Sequence, residues 1–483
     1  VWEANDNPLR FDADLVLTLA DLPTEGEAEI SPWAGSYWPT YQDSINRRWA
    51  GAGSLSPAAK YGQAFGIPNI EDKVSAYHGI DSLAVECTEN AECDDELGEV
   101  CAKREGADTG RCSATWFGIC HAWAPASIME PEPIHPVVHN GVTFQPNDLK
   151  ALITLLYNRT NAIMLSDRCN VDRDDIEVDE FGNPTGEDAA CRDTNAGTVH
   201  VIMANYLGLR GQSFVEDRTY DYEVWNQPVR AFRVNRMLEV TPRYANRLAG
   251  FEGRDIPEVY AFNEHAVQLY YVESELDYIA ESPSSLDGNL SDRIDDFTHT
   301  DRYTYILEVD AEGQIIGGEW TGASKTAHPD FLWLPGTRAS VPVAGGNISY
   351  ATVRNLLEQS IAPQDNPLVP MNVAHTVNLA AGQWAHFGPF VADSGQLVAT
   401  ITGNGDADLY VRHDAQPTAN DFDCRPYKGS SNEECTLAAP GTFYVSVHGY
   451  NLSEVELAIS YLQAAAEAPQ EPIEPAPGLG NDI

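Results

Sequence analysis

The sequence predicts an α+β core organised around one unpaired cysteine, followed by a C-terminal all-β sandwich. Three observations carry that expectation. Between residues 116 and 362 both periodicities occur: Leu149, Leu152, Ile153 and Leu156 recur at helical spacing behind Pro146, while Tyr303–Val309 and Ile315-Ile316 read as two strands. After Pro363, Pro367 and Pro370 only the strand period remains. Leu397, Ala399 and Ile401, then Phe443, Val445 and Val447, then Val455, Leu457, Ile459 and Tyr461 alternate with polar residues between Gly-Asp and Pro-Gly turns. Finally, eight of the nine cysteines fall in local groups, and Cys120 is left over.

The elements follow in order along the chain. Residues 1–85 form an N-terminal segment of weak periodicity, with aromatics among turn residues as in Trp33-Ala34-Gly35-Ser36-Tyr37-Trp38, and part of it is expected to be a pro-region. Residues 86–115 are a disulfide-rich insert: Cys87, Cys93, Cys101 and Cys112 are six, eight and eleven apart, with their pairing left open. Zinc is the weaker reading of that group, because no CxxC pair occurs in it. Residues 116–362 are the catalytic core. There a helix capped by Asn147 is expected to pack inward, and Asp310-Ala311-Glu312-Gly313-Gln314 is expected to close a hairpin in which Gly313 supplies the positive φ. Residues 363–372 read as a stiff linker, 373–462 as the sandwich, and 463–483, with Pro469, Pro472, Pro475 and Pro477, as a disordered tail.

Composition narrows the functional classes. Across 483 residues, 43% hydrophobic and 10% aromatic content provides ample material for burial, so the chain is expected to fold. Asp and Glu outnumber Lys and Arg by 73 to 29, and a formal charge of −44 repels nucleic-acid phosphates and anionic lipid alike. No run is long enough for a membrane span, and the first residue, Val1, suggests a mature or trimmed soluble product. Eight clustered cysteines point to disulfides in an oxidising, extracellular setting, where loops this short stabilise by about 2–4 kcal/mol each.

Cys120 lies in Trp116-Phe117-Gly118-Ile119-Cys120-His121-Ala122-Trp123-Ala124-Pro125. An odd thiol framed by aromatics reads as a nucleophile at a helix N-terminus, with Trp116 and Trp123 excluding water; Pro125 should leave that helix short or kinked. A buried, inert cysteine is the competing reading. This run, together with Val224-Trp225-Asn226-Gln227-Pro228-Val229-Arg230-Ala231-Phe232-Arg233-Val234, resembles the secreted transglutaminase family of plant-pathogenic oomycetes, and the second run resembles that family's elicitor peptide. Ala231 and Arg233 depart from the family's Gly and Lys. The resemblance implies a papain/transglutaminase-like cysteine acyltransferase core. Cys120 would attack the carboxamide of a protein glutamine, ammonia would leave, and a lysine amine would resolve the thioester to an isopeptide crosslink. The partners it implies are proteins presenting Gln and Lys, with no organic cofactor.

A base is needed, and His is the side chain whose pKa suits it. His328, beside Asp330 and following Glu319, ranks first; His299 ranks second, since its separation from Glu319 would place the two on adjacent hairpin strands. Asp330 or Glu319 would orient the imidazole. His121 is expected to be a shell residue, and His200 and His265 packing residues. As for the Val224–Val234 run, its large apolar groups and Pro228 read as scaffold, a turn leading into a strand.

Ten carboxylates lie from Asp167 to Asp193, and Asp172 and Asp174 inside the Cys169–Cys191 loop make Ca²⁺ the metal that oxygen density suits. Further on, Gly405-Asp406-Ala407-Asp408-Leu409-Tyr410-Val411, the Cys424 and Cys435 pair and Gly441-Thr442-Phe443-Tyr444-Val445 resemble bacterial pre-peptidase C-terminal domains. There Asp406 and Asp408 are a second Ca²⁺ candidate. Three readings of function stand: a crosslinking transferase, a papain-like protease or glutamine deamidase using the same Cys120, and a secreted binding or adhesion protein whose Cys120 is structural. The oligomeric state is left open.

Overall fold

The alternating stretches between residues 226 and 320 dictate the main sheet of the first of two units, Val1–Ser349 and Tyr350–Ile483. A computed structural model describes all residues except 1, 3, 173, 174, 183, 186–190, 192, 193, 220, 254, 364–367 and 465–483. In the first unit, β1 (Glu25–Glu27) precedes α1 (Pro57–Phe65), α2 (Ile70–His78) and the cysteine insert, whose strands β2 (Glu86–Cys87), β3 (Glu99–Ala102) and β4 (Gly110–Ala114) pair in the order β2-β4-β3. Then come α3 (Cys120–Met129), the hairpin β5 (Val137–His139) and β6 (Val142–Phe144), α4 (Pro146–Leu156), β7 (Ala162–Leu165) and α5 (Ala196–Met203). The large sheet is completed by β8 (Val215–Asp217), β9 (Asn226–Glu239), β10 (Gln268–Ile279), β11 (Thr298–Val309), β12 (Ile315–Trp320) and β13 (Leu332–Pro335), with α6 (Pro242–Leu248) between β9 and β10. Its order is β12-β11-β10-β9-β8-β13-β7, with β1 added on β9. The core fills one face: Val199, Ile202 and Met203 of α5 meet Phe232, Leu276, Tyr305, Leu307 and Leu332 of the strands. This is the mixed helix-and-sheet architecture that the two periodicities imply.

The hairpin forms at the expected place, with Gly313 at φ 83° between β11 and β12. α4 differs in detail. Its N-cap is Gln145, whose backbone N–H donates to Asp148 at 2.7 Å, while Asn147 donates to the Ser284 carbonyl at 2.8 Å. The polar side is buried as well: Lys150 bonds the Ala34 carbonyl at 2.9 Å and pairs with Glu132 at 2.6 Å, and Asp148 accepts from Trp49 at 2.8 Å and pairs with Lys60. α3 runs through Pro125 to Met129.

Disulfides join Cys87 to Cys101, Cys93 to Cys112, Cys169 to Cys191 and Cys424 to Cys435, leaving Cys120 free and buried. The sulfurs of Cys87, Cys93 and Cys112 lie within 4.8 Å of one another, but each is tied up in a disulfide and has no thiolate to offer zinc.

The second unit opens with α7 (Tyr350–Ile361), followed by β14 (Leu368–Leu379), β15 (Trp384–Ala392), β16 (Ser394–Asn404), β17 (Ala407–His413), β18 (Glu433–Ala438), β19 (Gly441–Gly449) and β20 (Ser453–Ala464). The sheets β14-β20-β16-β18 and β15-β19-β17 enclose Leu397, Ala399, Ile401, Phe443, Val445, Val447, Val455, Leu457, Ile459 and Tyr461, the alternating set read from the sequence. Part of the expected linker is strand: β14 starts at Leu368, and Pro370 sits opposite Leu462. An edge strand tolerates a proline whose missing N–H faces away from the ladder. Residues 364–367 and the tail from 465 lie outside the described residues.

Candidate active site

Cys120 is the first residue of α3, and the chain reaches it through a fixed loop, with Ile119 N–H donating to the Tyr37 carbonyl at 2.7 Å. One turn on, Trp123 is fully buried against Gly35; a Cβ at position 35 would stand 2.7 Å from the Trp123 indole nitrogen and from the Trp33 ring. The helix start is therefore pinned by the N-terminal segment. Cys120 as a residue is 6% exposed. Its thiol donates to the Val224 carbonyl at 3.7 Å, and Asn226 Nδ2 donates to Sγ at 3.6 Å. Trp333 Nε1 in turn donates to Asn226 Oδ1 at 2.8 Å, which fixes the amide's orientation.

Carboxyl groups stand behind this contact. The register of β8 on β9 sets Asp217 opposite Asn226 and Glu216 opposite Gln227, and all of these side chains are buried. Asp217 Oδ1 accepts from Trp225 N–H at 2.9 Å and from Thr219, while its Oδ2 has no partner. Gln227 Nε2 donates to both oxygens of Glu281 at 3.0 and 2.9 Å. Burial, then the negative charge of Glu281, pushes the Cys120 thiol up to about 11, with Asn226 opposing and Asp217 adding to the rise. Burial likewise carries Asp217 up to about 7 and raises Glu281 and Glu216. The resting site thus holds a neutral thiol beside carboxyl groups that titrate above their usual range.

Of the two expected bases, His328 lies in the connection between β12 and β13 and His299 on β11. His328 is buried, its ring stacked on Trp320 at 5.1 Å and its Nδ1 bonded to the Ser324 carbonyl at 2.8 Å. Asp330 accepts from Cys169 N–H at 3.0 and 2.9 Å, a bond that seats the start of the disulfide loop. His299 is exposed on β11 opposite Tyr278, with the rings 5.9 Å apart. Glu319 pairs opposite Ile306, and alternation places it on the other face from Trp320. The described hydrogen-bond partners of Sγ are the Val224 carbonyl, which accepts, and Asn226 Nδ2, which donates; neither is an imidazole. His121 bonds Asn158 at 2.7 Å and His200 bonds Tyr305 at 2.8 Å, so both serve the surrounding framework; His265, expected to pack, is exposed.

Sequence reasoning missed Asn226, Asp217 and Glu281, and it read the 224–234 run as scaffold. Phe232 does enter the core, yet Val224 and Asn226 touch the sulfur. The signal available was Glu216-Asp217, two acids directly after buried Val215 within β8.

Among the described residues no cluster of acidic groups suited to a metal ion is found at the calcium candidates. Asp408 is paired with Arg425 at 3.1 Å, so a guanidinium already neutralises it, and Asp406 N–H bonds Asn451 and Ser453. Asp174 lies outside the described residues. Asp172 bonds Asp175 N–H through its backbone carbonyl.

Comparison with known proteins places these features. A family model described as "Transglutaminase elicitor" matches residues 8–363, and one for the bacterial pre-peptidase C-terminal domain matches 391–449. The crystal structure of the GP42 transglutaminase from Phytophthora sojae superposes with a TM-score of 0.63 at 41% identity, covering 74% of this chain and 98% of that one. Among curated relatives, a virulence metalloprotease of Vibrio anguillarum is 51% identical over 71 residues, 14% of this chain and 12% of that protein. Alkaline serine exoprotease A of Vibrio alginolyticus is 42% identical over 86 residues, 17% of this chain and 16% of that protein. The chain spans less than a fifth of the length of these two relatives. No helix among the described residues is long and apolar enough to cross a membrane. The match over residues 8–363 and the GP42 superposition together show that the chain belongs to the transglutaminase elicitor family.

Proposed function

We propose that the protein is a secreted protein-glutamine γ-glutamyltransferase in which Cys120 is the nucleophile. The observation that carries this reading is the contact of the one free cysteine, at a helix N-terminus, with Val224 and Asn226 of the elicitor-like run. Sγ forms a bond to the carboxamide carbon of a glutamine, the C–N bond breaks, and ammonia leaves with the thiol's proton. A lysine amine then bonds to the same carbon, the C–S bond breaks, and a proton from the amine restores the thiol. Asp217, bonded to Trp225 between the two residues that cradle the sulfur, is the group assigned to shuttle that proton, and its pKa of about 7 suits both directions. The helix N-terminus favours negative charge developing at Cys120.

Tyr37 and Trp225, edge to face at 5.7 Å, and Trp116 against Tyr222 at 5.8 Å form an apolar frame that favours amine over water as the acceptor. Four disulfides and the pre-peptidase-type domain support an extracellular setting. Calcium is proposed on the oxygen-rich sequence around Asp172 alone, and dialysis against EDTA should abolish activity, with CaCl₂ restoring it.

The test of the whole reading is incorporation of monodansylcadaverine into casein. Wild type should label casein and Cys120→Ser should not, with unchanged melting. A labelling Cys120→Ser protein sinks the acyl-enzyme. Ammonia release without amine incorporation makes the protein a deamidase, and protein fragmentation makes it a protease.

A further inference from the structure

The cationic side chains of this chain are unevenly split, 23 Arg against 6 Lys. Much of the exposed positive charge is guanidinium: the side chains of Arg236, Arg293 and Arg302 are 54%, 60% and 77% exposed. Four of the six lysines are held. Lys150 is buried and paired with Glu132, and Lys60 is paired with the buried Asp148. Lys325 donates to the Ala249 carbonyl at 2.7 Å and to that of Phe181, and Lys73 donates to Asn347 at 2.8 Å. Lys103 and Lys428 are exposed. Lys428 Nζ reaches the Asn432 carbonyl at 3.5 Å, whereas Lys103 has no hydrogen bond or ion pair among the described residues. The backbone that presents Lys103 is nevertheless fixed. It follows β3 between Cys101 and Cys112, both in disulfides, and its neighbour Arg104 is bonded to Asp72 at 2.8 Å and Asp81 at 2.9 Å. Residues 105–109 beyond it are exposed.

We infer that Lys103 is the site at which this protein modifies itself, the one amine of its own surface that accepts an acyl group from a glutamine-bearing peptide or protein. The inference rests on the acyl-transfer reading given above. The nucleophile in such a transfer is an unprotonated amine. With ordinary pKa values near 10.4 for Lys and 12.5–13.8 for Arg, the unprotonated form is ~10²–10³ times more abundant on lysine at a given pH. Arginine therefore balances the carboxylates of the surface without offering an acceptor. Lys60 and Lys150 would each have to leave a buried ion pair to react, and Lys73 and Lys325 would have to give up their bonds to Asn347 and to backbone carbonyls. Lys103 gives up nothing. In the step, its Nζ bonds to the thioester carbon, the C–S bond breaks, and the proton shed by the amine returns to the sulfur, leaving an isopeptide bond at Lys103.

The experiment incubates the full chain with carbobenzoxy-Gln-Gly as donor and no added amine, then maps adducts by peptide mass spectrometry. Wild type should carry the adduct at Lys103, about tenfold or more above any other lysine, because the buried pairs at Lys60 and Lys150 must break first. Lys103→Arg should lose that adduct and still label casein with monodansylcadaverine as wild type does. A variant combining Arg236→Lys, Arg293→Lys and Arg302→Lys should gain adducts at the new lysines. Independently of any enzyme activity, limiting sulfo-N-hydroxysuccinimidyl acetate should acetylate Lys103 of Cys120→Ser ahead of Lys60, Lys73, Lys150 and Lys325. Casein labelling without an adduct at Lys103, or with the adduct chiefly at Lys428, overturns the inference while the acyl-transfer reading stands. So does a combined variant that labels casein and leaves its new lysines bare, since arginine would then not be what protects the surface. If acetylation prefers Lys103 but neither casein labelling nor an adduct forms, the transferase reading fails and self-modification falls with it.

Discussion

At the level of single residues, the site stores an electrostatic cost at Asp217. A carboxyl with an ordinary pKa near 3.9 when unfolded and about 7 when folded holds its proton more tightly in the native state. Its contribution to stability is therefore fully present below pH ~4 and is lost as pH rises through 7, with about 3 pK units worth about 4 kcal/mol. Asp217→Asn should melt several degrees above wild type at pH 8 and close to it at pH 4, while the transfer rate falls by about 10²–10⁴. An equal shift in melting temperature at both pH values would deny the titration. If activity survives in Asp217→Asn and is lost in His328→Ala without loss of melting temperature, the histidine is the base. Asn226→Ala should cost about 1–3 kcal/mol, because Trp333 Nε1 loses its buried acceptor, and the same change removes the donor to Sγ. Cys120 was legible from arithmetic alone, since an odd thiol in a disulfide-bonded chain needs a reason. Asn226 and Asp217 were not: polar residues next to Trp and Pro read as turn formers, and burial of two consecutive acids runs against the composition of ordinary cores.

Among the elements, the strands were the most readable, because a two-residue period with a polar break leaves little choice of fold. The β11–β12 hairpin and the ten alternating residues of the sandwich core fall where the sequence puts them. Helices were less so. The apolar stripe of α4 was visible, but its buried Lys150 and Asp148 could not be, since their partners Glu132, Lys60 and Trp49 come from distant parts of the chain. The same applies to the seating of α3, which depends on residue 35 having no side chain. Gly35→Ala should displace the Trp33 and Trp123 rings and cost about 1–3 kcal/mol, the usual effect of overpacking, with transfer activity falling as the N-terminus of α3 shifts. A Gly35→Ala protein with native melting temperature and activity would show that the two indoles yield without moving Cys120.

For the whole chain, proline marks a break in the path without saying to which side the preceding helix belongs. Pro363, Pro367 and Pro370 place a joint after residue 362, and the family model also ends at 363, yet α7 is grouped with the β-sandwich. Val353, Leu356 and Leu357 of α7 are each 1% exposed, and the helix packs on β14, β16 and β20. Burying three such side chains is worth about 1.5–3 kcal/mol apiece, which is a large part of the ~5–15 kcal/mol that holds a domain together. A fragment covering 350–464 should therefore fold and melt cooperatively, whereas one covering 368–464 should melt at least about 15 °C lower, since each kcal/mol moves a domain of this size by about 4–8 °C. Leu356→Ala in the longer fragment should reproduce part of that loss. Equal melting of the two fragments would instead assign α7 to the first unit, and would place the functional boundary at the prolines, where the sequence alone had put it.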